Sequence, residues 1–337
     1  MDWFEKLTGF RETTYEETRA KLIIDGDRLC SQVNGKSYLV GHLEVVSLAQ
    51  LRHAVNLANM ASGRSKVSAI AGDVRELHRD ATYAGALFQV ASQFNLLEMA
   101  SPNVTPEDGV TRYESDHTQG PACAIAAGAA TIYRNYFAPV GNGVGQTKDR
   151  QIDALADLGV ALSKRLGMPV DALWTMRNGY ALCTHTGLDK IADFLDRLDA
   201  GQVNELRGHL QIGIHWNAEV TDHSVVEGRT VSQAFCSALP VSYTDIPARH
   251  WKPFATLVLE AAYEATLLVA TLNAQRRASN IVLLTQLGGG AFGNPQDWIY
   301  SAIRRALHTA SPRGLDVRMV VRDRPSDGLL ELIRQFG

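Results

Sequence analysis

A short apolar run leads directly into a cluster of glycines and then into a helix start within residues 280–307. The glycines of this cluster are Gly288, Gly289, Gly290 and Gly293. Without side chains in the way, their backbone can take left-handed angles and present its N–H groups. A helix N-terminus carries about half a positive charge, so N–H groups backed by one bind phosphate or a similar anion. The alternative is a tight turn without a ligand, but the apolar ring of Phe292 among the glycines favours binding.

Apolar runs of strand type alternate with helical segments along the chain, which is the pattern of an α/β fold. The predicted strands cover 67–71, 86–91, 210–216, 231–239, 281–285 and 315–321. The predicted helices cover 47–60, 120–136, 149–166, 187–199, 249–275, 295–309 and 327–335. The strand at 281–285 is apolar on both sides, as expected where helices cover both faces of a sheet.

The chain is expected to have three parts. Residues 1–60 are predicted to form an N-terminal extension of helix, hairpin and helix, with the hairpin turn at Asn34-Gly35. Residues 61–337 are predicted to form the α/β domain. A helical segment at about 140–209 interrupts the strands of that domain and is predicted to be an insertion.

The charges and the cysteines exclude several classes of protein. The formal net charge is −3, with both signs spread along the chain, so we expect no nucleic-acid partner. The four cysteines include no CxxC pair, which argues against a zinc cage or a thioredoxin-type site. We therefore expect neither a metal nor a cofactor.

The N-terminus is acidic and amphipathic rather than basic and then apolar, so it predicts no signal peptide. The apolar runs are expected to be too short or too interrupted to span a bilayer. These features predict a cytoplasmic protein without a membrane partner, and they leave a protein partner open.

Polar groups or glycines follow three of the predicted strands. Asp73 comes soon after the strand at 67–71, and Asn95 comes soon after the strand at 86–91. Ligands of open α/β sheets gather at the carboxyl ends of strands, where the glycine cluster also lies. An Asp there can accept a hydrogen bond from an amino group such as that of adenine, or it can cap the turn that follows.

Four features follow one another along the chain: Gly72-Asp73-Val74, a second strand before Asn95, a helix start that contains glycine, and a late strand before Gly288-Gly289-Gly290-Ala291-Phe292-Gly293-Asn294-Pro295. This order resembles a macrodomain, in particular the branch that contains the poly(ADP-ribose) glycohydrolases. The resemblance implies a three-layer α/β/α, macrodomain-like domain with a mixed sheet. It also implies that Asp73 binds adenine, that Asn95 faces the distal ribose, and that the late loop holds the diphosphate with Phe292 against the ribose.

The chain departs from that branch at the helix that follows Asn95. Glycohydrolases carry Gln-Glu-Glu there, whereas this helix opens with Thr118-Gln119-Gly120-Pro121. Macrodomains usually have glycines shortly after the Asn, where this chain has Leu-Leu-Glu-Met. The glutamate pair of the glycohydrolases is therefore missing from the place where the resemblance puts it.

The loop at 98–121 is long and dense with polar groups, and such loops are usually functional or disordered. A carboxylate in this loop can activate water for attack at an anomeric carbon. The alternative is that its charges are solvated or paired with Arg112. Gln119 and Gly120, at the helix start, can donate hydrogen bonds to a phosphate.

Two functions from different classes are compatible with these patterns. The first is an enzyme that binds ADP-ribose or an ADP-ribosyl conjugate and hydrolyses a bond at the distal ribose. The second is a reader that binds ADP-ribose or a NAD-derived nucleotide signal without catalysis. A third reading, an ordinary nucleotide-dependent α/β enzyme, lacks a full GxGxxG or GxxxxGKS/T pattern.

On either of the first two readings the partner is a small-molecule nucleotide. The candidate catalytic residues are Asn95, Asp108, Glu114 and Asp116. The candidate ligand-binding residues are Asp73, Val74, Gln119, Gly120, Gly288, Gly289, Gly290, Ala291, Phe292, Gly293 and Asn294.

Overall fold

The computed structural model describes residues 1–57, 63–222 and 228–337. The helices in these ranges are α1 (Trp3–Thr8), α2 (Tyr15–Ala20), α3 (Leu48–Leu57), α4 (Val74–Arg79), α5 (Gln119–Ala126), α6 (Gly128–Tyr136), α7 (Ala156–Leu166), α8 (Val170–Leu173), α9 (His185–Leu195), α10 (Ala200–Arg207), α11 (Ala248–Gln275), α12 (Gln296–Ala310) and α13 (Asp327–Phe336). The strands are β1 (Leu22–Asp25), β2 (Arg28–Ser31), β3 (Ser37–Leu39), β4 (His42–Ser47), β5 (Lys66–Ala71), β6 (Leu87–Ala91), β7 (Pro139–Val140), β8 (Gly143–Val144), β9 (Trp174–Arg177), β10 (Tyr180–Cys183), β11 (Gln211–Glu219), β12 (Thr230–Cys236), β13 (Ile281–Leu284) and β14 (Asp316–Val321). Single 3-10 turns lie at Ala81–Tyr83, Pro106–Asp108, Thr111–Ser115 and Val241–Tyr243.

A mixed sheet of seven strands, in the order β4-β11-β12-β6-β13-β14-β5, forms the centre of the protein. The five strands from β12 to β5 are mutually parallel. Strand β11 runs antiparallel to both of its neighbours, β12 and β4. The five parallel strands therefore bring their carboxyl ends to one edge of the sheet.

Neighbouring side chains on β6 show how helices cover both faces of this sheet. Phe88 stacks on His78 of α4, with ring centroids 3.7 Å apart. The next side chain, Gln89, donates a hydrogen bond of 3.0 Å to Thr266 of α11. Because successive side chains on a strand point to opposite faces, α4 and α11 lie on opposite sides of the sheet. The predicted α/β class, with three layers and a mixed sheet, is confirmed.

The helix predicted at 120–136 is two helices in the structure. Ala127, between α5 and α6, has the non-helical angles φ −113° and ψ 58°. The N–H of the next residue, Gly128, donates to the hydroxyl of Thr221 instead of continuing the helical ladder. The residues around this break are alanine and glycine, and their small side chains let the backbone change direction without steric clashes.

The N-terminal part is less separate than the sequence indicates. Residues 28–39 form the predicted hairpin, in which β2 and β3 pair around Asn34-Gly35. However, β4 pairs with β11 of the large sheet and α3 packs against α11. Residues 42–57 therefore belong with the α/β domain, which corrects the extension expected to run to residue 60. The end of the helix predicted at 47–60, and the boundary between 60 and 61, lie outside the described residues.

The segment predicted as a helical insertion also contains a β-hairpin. Strands β9 and β10 pair antiparallel across Asn178-Gly179. Both residues of this turn have positive φ, 46° for Asn178 and 79° for Gly179, as a two-residue hairpin turn requires. The turn positions the first residue of β10, Tyr180, beside the carboxyl edge of the sheet.

Helix α11 corrects the expectation that the apolar runs are too short to cross a bilayer. It has 28 residues, and its most apolar window has a mean hydropathy of 1.4, which is enough for a membrane span by length and composition. In the structure 83% of that window is buried inside the protein. Sheet and helices cover it, as expected for the core helix of an α/β domain.

Candidate functional site

A cleft of about 440 Å³ opens at the carboxyl edge of the sheet. Residues that follow β6, β12, β13 and β14 line it, together with the start of α5. The cleft has the volume of a typical small-molecule site. It also lies where ligands of open α/β sheets usually bind.

The glycine loop after β13 forms one wall of the cleft. Gly288, Gly290, Ala291 and Phe292 line the cleft, and the side-chain amide of Asn294 holds the loop by donating to the carbonyls of Leu239 and Gly288. The N–H groups of Gly290, Ala291 and Phe292 donate to no group within the described residues. These three consecutive N–H groups at the wall of the cleft are therefore left as hydrogen-bond donors that an anion could use.

Two further residues of the loop shape it without lining the cleft. Gly293 has φ +69°, and a Cβ there would lie 1.7 Å from the hydroxyl oxygen of Ser242, so only glycine fits. The N–H of Gly289 donates to the carbonyl of Gln286 and is not free for a ligand. The loop thus combines fixed hydrogen bonds at its base with free donors at its tip.

The N-terminus of α5 forms a second wall. Thr118, the residue that caps this helix, makes no side-chain capping bond, so the first N–H groups of α5 lack a side-chain acceptor. A Cβ on Gly120 would lie 2.0 Å from the carbonyl oxygen of Ala91; glycine is what lets the helix start approach the end of β6.

The side chain of Gln119 holds the start of α5 against the end of β6 through two hydrogen bonds. Its Oε1 accepts a hydrogen bond from the N–H of Ala91 (2.9 Å), and its Nε2 donates to the carbonyl of Gln89 (2.8 Å). The side chain thereby continues the hydrogen bonding of β6 into α5. The backbone N–H of Gln119 is the group that fits the predicted role of phosphate donor.

Three aromatic rings from separate segments meet at the cleft. Phe292 lies 5.3 Å from Tyr180 and 5.6 Å from Tyr243, measured between ring centroids. The two tyrosine rings lie 5.1 Å apart. All three residues line the cleft, so their rings form an apolar surface on which a planar or sugar group can rest.

Glu98 is the buried carboxyl of the cleft. Its side chain lines the cleft although the residue is only 2% exposed. Oε1 lies 3.4 Å from Nη2 of Arg134, and Oε2 has no hydrogen-bond partner within the described residues. Burial raises the pKa of Glu98 to about 7, against the opposing effect of the nearby Arg134 guanidinium. A carboxyl group with this pKa can exchange protons near neutral pH.

Arg322, directly after β14, is the one Lys or Arg among the described residues that line the cleft. Its guanidinium donates to the carbonyl of His117 in the loop before α5. It therefore places a positive charge at the rim of a cleft whose walls carry free N–H groups.

Asp73 and Val74 lie outside this cleft. The side chain of Asp73 caps α4 by accepting from the N–H of Arg75 at 2.7 Å, and Val74 is buried in the core. Strand β5 is the edge strand, so its carboxyl end lies one strand beyond the last one that lines the cleft. The capping alternative for Asp73 is the one that the structure supports.

Asn95 is also kept away from the cleft. It is fully buried, its side-chain Nδ2 donates to Oε1 of Gln151, and its side-chain Oδ1 accepts from the N–H of Leu97. The prediction that Asp73, Asn95 and Phe292 face one crevice is therefore wrong for the first two. Asn95 instead fixes the loop that carries Glu98.

The three carboxylates predicted in the 98–121 loop differ in position. Asp108 bonds with Thr105 and lies 4.0 Å from Arg112, as in the alternative reading of a paired surface charge. Glu114 is exposed and, like Asp108, does not line the cleft. Asp116 does line it, and accepts from the N–H of Thr118 at 2.9 Å.

Glu98, Tyr180 and Arg322 line the cleft but were not among the candidates. For Tyr180 a signal existed, since Asn178-Gly179 is the same hairpin dipeptide that was recognised at Asn34-Gly35. For Glu98 the sequence indicated only that it belongs to the polar loop at 98–121, and for Arg322 it carries no signal, because burial and strand order depend on the assembled sheet.

No protein-family model matches this sequence, and no curated protein sequence matches it either. The fold is similar to the crystal structure of poly(ADP-ribose) glycohydrolase from Deinococcus radiodurans in complex with ADP-ribose, with a TM-score of 0.45, 12% identity, and coverage of 87% of this chain and 92% of that one. It is similar to the glycohydrolase from Thermomonospora curvata, with a TM-score of 0.45, 13% identity, and coverage of 92% and 94%. For the Thermomonospora curvata glycohydrolase bound to the inhibitor ADP-HPD, the TM-score is 0.45 and the identity is 13%, with coverage of 96% of this chain and 98% of that one.

Proposed function

We propose that the cleft binds ADP-ribose or an ADP-ribosyl conjugate, and that Glu98 activates water for hydrolysis of the bond at the distal ribose. The observation that carries the proposal is that the three residues with free N–H groups on the glycine loop line the same cleft as a buried carboxyl with a pKa of about 7. The first feature suits a diphosphate, and the second suits proton transfer.

The donors of the cleft favour an extended anion over a single phosphate. Free N–H groups lie on the loop at 290–292, and the uncapped N-terminus of α5 offers further ones across the cleft. Arg322 adds a full positive charge at the rim. Helix N-termini and loop N–H groups both bind phosphate oxygens, so two phosphates in sequence make use of both walls.

The aromatic surface supports a ligand that carries rings as well as charge. Tyr180, Tyr243 and Phe292 give one side of the cleft apolar area, and they sit next to the free donors of the loop. A ribose or an adenine packs on such rings while the diphosphate reaches the N–H groups. Inorganic diphosphate, which lacks these rings, should therefore bind more weakly.

Glu98 is the carboxyl best suited to act as a base. Its Oε2 is buried and has no partner within the described part of the chain, so this acceptor is not used in any hydrogen bond of the protein. Its pKa of about 7 means that the ionised form is present at neutral pH and that its basicity is greater than that of an exposed glutamate. Water activated by a carboxylate attacks an anomeric carbon in glycoside hydrolysis generally.

A reader without catalysis is the second candidate, and the ion pair of Glu98 favours it. Glu98 and Arg134 are both fully enclosed, and Arg134 also donates to the carbonyl of Leu96. A carboxyl in this setting can hold the loop in place without taking part in a reaction. The reader and the enzyme share the ligand, and they differ in whether Glu98 transfers a proton.

Gly290 offers a clean test of ligand binding. No atom lies within 4 Å of a Cβ built on it, and its φ is not in the left-handed region, so a side chain fits there. Gly290→Glu places a negative charge where the diphosphate would bind, and Gly290→Ala is the matched neutral control. Isothermal titration with ADP-ribose should give at least about tenfold weaker binding for the glutamate variant, which corresponds to 1.4 kcal/mol.

The titration is repeated with AMP, NAD and inorganic diphosphate to define which parts of the ligand matter. Gly290→Ala should bind ADP-ribose as the original chain does. Equal affinity of Gly290→Glu and Gly290→Ala for ADP-ribose would contradict the proposed position of the diphosphate. Absence of binding to the unaltered chain at millimolar ADP-ribose would contradict the ligand itself.

The cytoplasmic location, and the expectation of no nucleic-acid and no membrane partner, stay predictions from the sequence. Cell fractionation followed by immunoblotting tests the location. Co-sedimentation with vesicles and a DNA mobility shift test the two partner classes.

A further inference from the structure

Two histidines and an aspartate meet where the insertion packs on the long core helix. His185 and Asp189 lie four residues apart on α9, and His250 lies in the first turn of α11. Nδ1 of His185 is 3.2 Å from Oδ2 of Asp189, and Nδ1 of His250 is 2.7 Å from Oδ1 of the same carboxylate. The possible ligand atoms of the three side chains all lie within 4.8 Å of one another.

These distances suit a common metal ion. Zinc binds His nitrogen and carboxylate oxygen at about 2.0–2.2 Å, which places the donors of a tetrahedral site roughly 3.3 Å apart. The two nitrogens already face one carboxylate at 3.2 and 2.7 Å. The imidazole rings lie 4.3 Å apart between centroids, so both flank the same carboxylate.

We propose that His185, Asp189 and His250 form a binding site for a divalent transition metal such as Zn²⁺. The three side chains supply two nitrogens and one oxygen, and the exposure of His185 and Asp189 leaves the fourth position to water. Zinc sites with three protein ligands and one water are common. No pattern in the sequence indicates this site, because its ligands come from two segments more than 60 residues apart.

The position of the site suggests what a bound ion does. His185 opens α9 two residues after β10, the strand that begins with Tyr180, and His250 lies seven residues after Tyr243. The ion therefore joins the two segments that carry the tyrosines of the cleft. It adds a cross-link between the insertion and the core helix α11, in place of the hydrogen bond that Asp189 accepts from His250 and the contact of Asp189 with His185.

The test uses the full chain without an affinity tag and without nucleotide, so that its result is independent of the proposed function. Titration calorimetry with ZnCl₂, NiCl₂ and MgCl₂ in a non-chelating buffer should show one site for Zn²⁺ and Ni²⁺ and none for Mg²⁺, because imidazole favours transition metals over Mg²⁺. Zn²⁺ should also raise the melting temperature, since a ligand that binds only the folded state stabilises it.

Variants separate this site from other places where zinc could bind. His185→Ala and His250→Ala should each weaken Zn²⁺ binding at least tenfold. His185 is half exposed, so its replacement leaves the fold intact. His53→Ala, at an exposed histidine of α3, is the matched control and should bind as the unaltered chain does. The proposal is overturned if Zn²⁺ shows no saturable binding up to about 1 mM, or if both variants bind it as tightly as the control.

Discussion

The central strands β6 and β13 and the edge strand β5 run in the same direction, and glycines or polar residues follow each of them. After β13 the glycine loop lines the cleft, and after β6 the chain leads to Glu98 at its wall. After β5 the side chain of Asp73 turns back to cap α4. A central strand has neighbours on both sides whose ends form the walls of a crevice, whereas an edge strand has one neighbour. The same local sequence feature therefore lines the cleft at one strand end and caps a helix at another.

This contrast predicts that substitutions in the segments after the central strands alter ligand binding or catalysis, whereas substitutions in the segment after β5 alter the stability of the fold. Four expected results, from the largest effect to the smallest, test it.

Glu98→Gln should lower the rate of ADP-ribosyl hydrolysis by about 10²- to 10⁴-fold, because an amide cannot take a proton from water. Binding of ADP-ribose should change little. Since the base acts in its ionised form and its pKa is about 7, the rate of the unaltered protein should rise with pH through neutrality and then level off. Release of ADP-ribose from an ADP-ribosylated protein, followed by chromatography across a pH series, measures both.

Asp116→Asn is the matched control for that experiment, since Asp116 is the other carboxylate that lines the cleft. It should keep most of the activity. A greater loss for Asp116→Asn than for Glu98→Gln would assign the base to Asp116 instead. A protein that binds ADP-ribose but shows no hydrolysis in any form would be the reader.

His78, on the α4 unit after the edge strand, should control stability and not binding. Burial lowers the pKa of His78 to about 4, while the unfolded chain takes up the proton below about 6.5. The free energy of unfolding should thus be highest above pH 6.5 and fall by about 3 kcal/mol as the pH drops to 4, at 1.36 kcal/mol per pKa unit. Urea titrations at several pH values measure this loss.

His78→Phe keeps a ring stacked on Phe88 and should remove much of that slope. The part of the pH dependence that remains should come from the buried His215, because burial also lowers the pKa of that residue. His53→Gln, at an exposed position, should leave the slope unchanged. A change in ADP-ribose affinity of His78→Phe at pH 7.5 would break the proposed separation between the two regions.

Phe292→Ala should weaken ADP-ribose binding by roughly three- to tenfold, as expected when one aromatic contact is lost. Phe292→Tyr retains the ring and should bind normally. Inorganic diphosphate should bind both variants alike, because it makes no use of the aromatic surface. Calorimetric titration distinguishes these outcomes, and equal weakening for ADP-ribose and diphosphate would mean that the loop itself had been disturbed.

Asp73→Ala should lower the free energy of unfolding by about 1 kcal/mol, the usual effect of removing a helix cap, and leave ADP-ribose affinity unchanged. Asp73→Asn retains a capping oxygen and should be nearly as stable as the original. Urea denaturation and a ligand-induced melting shift give the two values. Loss of the melting shift in Asp73→Ala would restore the adenine-binding role that the sequence suggested.

The sequence predicted the elements of the large sheet well. Every strand predicted from its apolar pattern is found in this sheet, with ends that differ by at most three residues. It also identified Phe292 and three of its neighbours in the glycine loop as residues of the cleft. These features depend on short runs of residues, where side-chain alternation and the freedom of glycine act locally.

Of the polar residues that share the cleft, the sequence predicted Asp116 and Gln119, but it also selected residues that lie elsewhere. Asn95 and Asp73 follow strands just as the glycine loop does, yet one is sealed in the core and the other caps a helix. Tyr180 reaches the cleft only because a hairpin of the insertion is positioned beside the sheet. The choice of Glu98 over Asp108 and Glu114 depends on burial, which no single segment determines.

By itself, then, the amino-acid sequence determined six of the seven strands of the large sheet, most of the helices and a loop rich in free N–H groups, since these follow from the chemistry of adjacent residues. Only the tertiary structure decided the order of the strands, and with it the strand ends that meet. It also decided which carboxyl is removed from water, and that two distant histidines share one aspartate. Those outcomes depend on contacts between residues far apart in the chain, whose geometry exists only after the sheet and its covering helices have assembled.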